Sequence, residues 1–154
     1  MKLTPLMELQ GRIAASTAIG NTPLGNRAIG ILSGGTFSGE RLSGQILAPA
    51  ADWVLVDSAG YGHIDVRLTL ATGDGAHIFM RYTGVLEYND AIRAAFASGG
   101  STRFGDAHFV TQPRFETGDA RYVWLNHVVA VAEGRLLEGG VQYRIFQCEA
   151  GEDS

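Results

Sequence analysis

The chain has 154 residues, enough for one domain that removes roughly 70% of its unfolded surface from water. Its 12 basic and 16 acidic residues leave a net charge of −4, which offers no cationic field for nucleic acid. No apolar run approaches the ~20 residues of a membrane helix, and Met1-Lys2-Leu3-Thr4-Pro5 lacks the apolar core of a signal segment. One cysteine, Cys148, permits no internal disulfide, so the expected compartment is the cytoplasm. The 21 glycines argue for many short strands and tight turns over a helix bundle.

In chain order, Met7, Leu9 and Ile13 alternate with Glu8, Gln10 and Arg12, which is strand periodicity. Residues 21–26 are turn-rich. Residues 27–32 read as a second strand, broken by Ser33-Gly34-Gly35. Residues 42–47 form a third, ended before Pro49, and residues 52–56 a fourth, closed by the turn Asp57-Ser58-Ala59-Gly60. The clearest strand is 64–70, with Ile64, Val66, Leu68 and Leu70 on one face and Asp65, Arg67 and Thr69 on the other. A hairpin signal follows at Gly73-Asp74-Gly75, and the partner strand is 77–85. Residues 89–97 form the one helix, capped by Asn89 or Asp90, with Ile92, Ala95 and Phe96 as its apolar stripe. Further strands read at 107–111, 122–132 and 141–148, and the acidic tail 149–154 is expected to fray. With no repeat or linker, residues 1–154 are expected to form a single domain with its core at about 6–148. About eight short strands and one helix predict an all-β fold, a small closed antiparallel β-barrel, with a two-sheet sandwich as the alternative.

A three-residue loop would put Gly75 in a left-handed conformation and pair Arg67 with Arg81 and Asp65 with Thr83, whereas a two-residue Asp74-Gly75 turn would shift the register by one and scatter this set; the three-residue loop is the expectation. Cross-strand neighbours share a face, so Asp65, Arg67, Phe79 and Arg81 should cluster. The plainer reading turns this face to water. The functional reading turns it inward, where Asp65 or an anionic ligand would separate the two guanidiniums. On strand 122–132 the same reading points Tyr122, Trp124 and Asn126 into the lumen and leaves Val123, Leu125, Val129 and Val131 outside. That exterior would need sister subunits to cover it, so a homo-oligomer, dimer to tetramer, is expected.

Gly34-Gly35-Thr36-Phe37-Ser38-Gly39 is followed by Leu42-Ser43-Gly44, Ala51-Asp52-Trp53, Asp65-Val66-Arg67 and Arg81-Tyr82-Thr83-Gly84. Pro113-Arg114-Phe115-Glu116-Thr117 and Tyr122-Val123-Trp124-Leu125-Asn126 complete the series. The ordered set resembles domain-of-unknown-function family 3237, over about residues 6–146. The resemblance implies a small barrel of the type used by allene oxide cyclase and dirigent proteins, oligomers that guide small organic molecules. It implies recurrent polar positions at Asp52, Asp65, Arg67, Arg81, Glu116 and Asn126, while Tyr82 stands where relatives often carry a small amide.

The expected function is small-molecule binding, with cofactor-independent acid/base chemistry of isomerase, lyase, hydratase or cyclase type on a small organic acid or cyclic carbonyl compound. Asp65 would move the proton, and Arg67 and Arg81 would hold a carboxylate or developing oxyanion. Trp53, Tyr82, Phe115, Glu116, Trp124, Asn126 and Tyr143 would bind the substrate. The plainer alternatives are a buried ion pair for the charges, core packing for the aromatics, a rim salt bridge for Glu116 and a backbone-satisfied amide for Asn126. His63, His77, His108 and His127 show no metal-ligand spacing, so no metal and no cofactor is expected. A non-catalytic carrier of a hydrophobic ligand, or a scaffold with a filled interior, is the rival reading.

Overall fold

Alternating apolar residues dominate the chain, and the computed structural model, which describes residues 1–152, is accordingly a closed antiparallel barrel. The strands are β1 (Lys2–Thr22), β2 (Gly25–Ser38), β3 (Ser43–Asp52), β4 (Leu55–Val56), β5 (Tyr61–Thr72), β6 (His77–Glu87), β7 (Phe109–Glu116), β8 (Val129–Leu137) and β9 (Gly140–Glu149). Helix α1 (Asp90–Ser98) follows β6, and a 3-10 helix (Ala120–His127) follows β7. Spatial order runs β1-β9-β8-β7-β6-β5-β3-β2, and pairing of β1 with β2 closes the ring. The two-residue β4 bridges β2 and β5 where β3 ends.

The early strands are longer than their sequence patterns suggest. Ser33-Gly34-Gly35 bends β2 without breaking it: the ladder with β1 shifts register next to Ile13. Gly35 has φ 152°, and a Cβ there would strike the Gln10 carbonyl, so only glycine passes. Pro49 does not end β3 either. It sits in a register shift between Leu47 and Ala51, the kind of position where a sheet tolerates proline, and the strand continues to Asp52. The strand expected over 52–56 shrinks to β4 as a result.

Helix α1 forms as expected. The Asn89 side chain accepts from the Ile92 N–H at 3.1 Å, Gly99 adopts the left-handed conformation that ends the helix, and Ile92 and Ala95 are buried. Phe96, expected in the stripe, remains half-exposed.

The strand expected over 122–132 is a correction. Residues 122–127 belong to the 3-10 helix, and extended structure starts only at Val129. Local side-chain bonds outcompete the ladder here. Asp119 accepts from the Arg121 N–H at 2.9 Å, and the Tyr122 hydroxyl donates to Asp74, in the β5–β6 turn, at 2.8 Å. Asn126 brackets Thr117, accepting from its N–H at 2.8 Å and donating to its carbonyl at 3.0 Å. With this segment off the sheet, β7 and β8 pair only at Val110–Glu133 and Thr111–Ala132, then splay apart. The tail expectation is corrected at Glu149, which pairs with Lys2 and accepts from the Thr4 hydroxyl at 2.9 Å. Asp153 and Ser154 lie outside the described residues.

The core is the barrel interior. Ile64, Val66, Leu68 and Leu70 of β5 meet Ile78, Met80 and Tyr82 of β6, all at most 5% exposed. Each such side chain contributes roughly 1.5–3 kcal/mol by leaving water.

Candidate active site

The central hairpin has the expected register and the opposite orientation. Thr72 and Ala76 flank the three-residue loop, Gly75 has φ 93°, Arg67 faces Arg81 and Asp65 faces Thr83. Asp65, Arg67, Phe79 and Arg81 do share a face, but it is the outer one: Arg67, Phe79 and Arg81 are exposed and the aliphatic face is buried. The inward orientation expected for the charged set is therefore overturned. Six or more aliphatic side chains leave water this way, and the two guanidiniums stay in it. Asp65 is partly buried, with Oδ1 enclosed and lacking a hydrogen-bond partner among the described residues.

The expected substrate-binding residues are scattered. Trp53 is 40% exposed. Phe115 packs in the core opposite Met80, and Glu116 is exposed opposite Phe79. Trp124 lies under the Arg41 guanidinium at 3.4 Å, and Asn126 is occupied by the Thr117 backbone. Tyr82 and Tyr143, in contrast, come together inside the barrel.

They line a cavity of about 390 Å³ whose walls are otherwise almost wholly apolar, among them Leu32, Ile64, Val66, Leu86, Phe109 and Val141. Ile13 and Ser16 of β1 and Phe96 of α1 also line it. Asp52, at the end of β3, is the one carboxyl in the lining. Strand parity places it there: Asp52 shares the face of Ile46 and Ala50 and pairs with Val66, an inward position, and its Oδ1 accepts from the Asp65 N–H at 3.0 Å. Burial pushes the Asp52 carboxyl up to about 6, opposed by that hydrogen bond and aided by the nearby Asp65 charge.

The tyrosines form an aromatic wall. Tyr82 and Tyr143 meet edge to face at 5.1 Å, and Phe109 meets Tyr143 likewise at 5.4 Å. Burial holds the Tyr82 phenol above its usual range, offset in part by the Tyr143 phenol, and the Asp52 charge adds to the rise. Burial raises Tyr143 and Tyr88 as well, with the Asp52 charge again contributing. All three phenols thus keep their protons at neutral pH. The Tyr82 hydroxyl is buried with the Tyr143 phenol as its hydrogen-bonding neighbour, and its own proton has no acceptor among the described residues. The cavity therefore offers a carboxyl whose affinity for a proton is raised toward neutrality and a protonated phenol in apolar surroundings, a combination suited to proton transfer. The residue pattern alone signals Asp52 weakly: it shares the inward parity of Ile46 and Ala50, but on a strand that the pattern ends before Pro49.

Among the described residues no group of three or more His, Cys, Asp or Glu side chains could hold a metal ion, and no helix is long and apolar enough to cross a membrane. Residues 1–148 match the sequence profile of the DUF3237 family, described as proteins of unknown function. The chain belongs to this family. Solved structures of similar proteins agree on the fold. A β-barrel-like protein from Acinetobacter baumannii is 33% identical, with a TM-score of 0.80 over 95% of this chain and 94% of that one. A conserved protein of unknown function from Rhodopseudomonas palustris is 25% identical, with a TM-score of 0.85 over 95% and 96% of the two chains. A protein from Penicillium herquei, described as an enzyme, is 19% identical, with a TM-score of 0.72 over 96% and 94%. No curated protein matches the chain.

Proposed function

We propose that this DUF3237 protein binds a small, largely apolar organic molecule in the barrel cavity and performs cofactor-independent proton transfer on it. The observation that carries the reading is the Asp52 carboxyl, raised to about 6 and set in an apolar cavity of about 390 Å³ with the Tyr82 hydroxyl, whose own proton has no acceptor among the described residues. Asp52 takes or returns a proton at a carbon next to a carbonyl. The Tyr82 phenol donates to the oxygen on which charge develops. The hydrophobic walls favour a cyclic or aromatic carbonyl compound over a highly charged acid. The description of the Penicillium herquei protein as an enzyme is consistent with the fold hosting chemistry, at the level of the fold alone.

In this reading the proton-transfer role moves from Asp65, Arg67 and Arg81 to Asp52 and Tyr82, while Tyr143 keeps its place in the binding wall. The test is deuterium incorporation next to the carbonyl of a panel of cyclic ketones and enones in D₂O, followed by NMR. Asp52→Asn is expected to slow exchange by about 10²-fold or more. Exchange by the Asn variant at the wild-type rate overturns the assignment.

The almost wholly apolar lining also favours a carrier, in which the ligand enters and leaves unchanged. Recovered ligand with no deuterium uptake selects that reading. A homo-oligomer of two to four copies belongs to either version. Its support is the outer edge of β1: β9 pairs with β1 only as far as Arg12, which leaves residues 13–22 uncharged, without a strand on that side and ending near the exposed Ile19. Light scattering that gives a single-chain mass removes the oligomer.

A further inference from the structure

The outer wall of the barrel carries a second feature that the cavity does not use. Arg67 on β5 lies directly opposite Arg81 on β6, and Arg81 lies directly opposite Arg114 on β7. All three are exposed, and among the described residues none of the three guanidiniums makes an ion pair or a hydrogen bond. Directly opposed residues sit about 5 Å apart at Cβ, where like charges destabilise a sheet. The row thus places two successive repulsions on the wall of a chain whose net charge is −4.

The splay of β7 from β8 turns part of this row into a slot. Arg81, Arg114, Thr83 and Gln112 form its polar side, and Val129 and Val131 its apolar side, around a volume of about 400 Å³. Thr83 and Gln112 face each other in the adjoining cross-strand pair, so their hydrogen-bonding groups stand beside the guanidiniums. No carboxylate lines this slot; Glu116 and Asp65 lie at its margins, opposite Phe79 and Thr83. Val129 is 54% exposed although it belongs to a strand, which leaves apolar surface facing the cationic side.

We propose that this slot is a binding site for a molecule with a carboxylate or phosphate head on an apolar body. The head is held between Arg81 and Arg114 with help from Thr83 and Gln112, and the body lies on Val129 and Val131. Two guanidiniums suit the fork geometry of either anion. The anion also relieves the repulsion along the row. This site is separate from the cavity and does not depend on the chemistry assigned there.

The experiment follows the Arg side-chain Nε–Hε signals of the full chain by NMR while adding octanoate, octyl phosphate, octanol or inorganic phosphate in separate titrations. Octanoate or octyl phosphate is expected to shift the Arg81 and Arg114 signals, with octanol and inorganic phosphate each at least tenfold weaker. Whichever of the two amphiphiles binds more tightly identifies the head group. Arg81→Met and Arg114→Met are each expected to weaken that binding about tenfold, the loss of one charge-assisted contact. Val129→Asp, which leaves both arginines in place, is expected to weaken it comparably. Equal binding of octanol, equal binding of inorganic phosphate, or affinities unchanged in all three variants overturns the proposal. Amphiphile binding that moves only the Tyr82 and Tyr143 ring signals and survives the Arg variants belongs to the cavity and also overturns it. The ketone exchange assay is expected to be the same in Arg81→Met and Arg114→Met, so failure of the slot leaves the Asp52 assignment standing and failure of Asp52 leaves the slot standing.

Discussion

The two faces of the β5–β6 hairpin differ in what they ask of the same backbone. The inner face, Ile64, Val66, Leu68 and Leu70 against Ile78, Met80 and Tyr82, is packed and nearly dry until it opens at the Tyr82 end into the cavity. The outer face, Asp65, Arg67 and Thr69 against Phe79, Arg81 and Thr83, keeps its two guanidiniums in solvent. One ladder thus carries a stability-bearing surface and a recognition surface. Substitutions should act on stability from one side and on ligand affinity from the other.

The largest separation is expected from truncation. Leu68→Ala should lose about 2–5 kcal/mol of unfolding free energy, because Leu68 is 2% exposed and the barrel cannot collapse around the gap. Arg67→Ala, its neighbour in sequence, should fall within about 0.5 kcal/mol of the parent in the same urea titration. Equal losses would erase the distinction between the faces.

A sharper comparison lies at Asp52, the one carboxyl that β3 delivers to the inner side. Its folded pKa of about 6 exceeds the ordinary value of 3.8. The folded state therefore binds the proton more tightly than the unfolded state. The contribution to stability is fully present below pH 3.8 and is lost as pH rises through 6. Asp52→Asn removes this dependence. The variant is expected to gain roughly 2–3 kcal/mol over the parent above pH 6, with the gain disappearing below about pH 4. Denaturation midpoints compared at pH 4 and pH 7.5 check both sign and window, and a variant advantage independent of pH contradicts a buried, titrating Asp52.

Gly134, buried on β8, comes next. A Cβ there would stand 2.9 Å from atoms of the Phe109 ring, which meets Tyr143 edge to face. Gly134→Ala should cost about 1–3 kcal/mol and displace the aromatic wall, seen as altered Tyr143 ring shifts. The smallest effect belongs outside. Arg81→Gln removes the middle charge of the arginine row and should change stability by no more than about 0.5 kcal/mol, in the stabilising direction at low salt and fading as salt is added.

How far the sequence alone reached differs element by element. The β5–β6 register was legible because Gly73-Asp74-Gly75 admits a three-residue loop with a left-handed Gly75, and loop length sets pairing. Helix α1 was legible from Asn89 and the Ser98-Gly99-Gly100 stop. The inward face was the harder matter. A period of two separates Arg67 from Leu68 without saying which is inside, and the idea of a polar lumen weighed a cluster of charges above the burial of a longer aliphatic row. Residues 122–127 misled for a different reason. Tyr122, Trp124 and Asn126 alternate like a strand, yet Asp74, 48 residues from Tyr122, takes its hydroxyl and helps hold the segment off the sheet. No local pattern carries that partner. Asp52 came only through the family resemblance: the shift between Leu47 and Ala51 amounts to two residues and keeps Ile46, Ala50 and Asp52 on one parity, but no local pattern says that the strand runs on past Pro49.

Ring closure joins the two extremities, since Lys2 in the opening strand pairs with Glu149 in the closing one. The sheet therefore stays unsealed until the ten-residue β9, the latest of the nine strands in chain order, is in place, so closure waits on that strand. A chain stopped at Gly139 would keep that gap, and a synthetic peptide spanning 140–149 should fill it, much as a stave completes a cask.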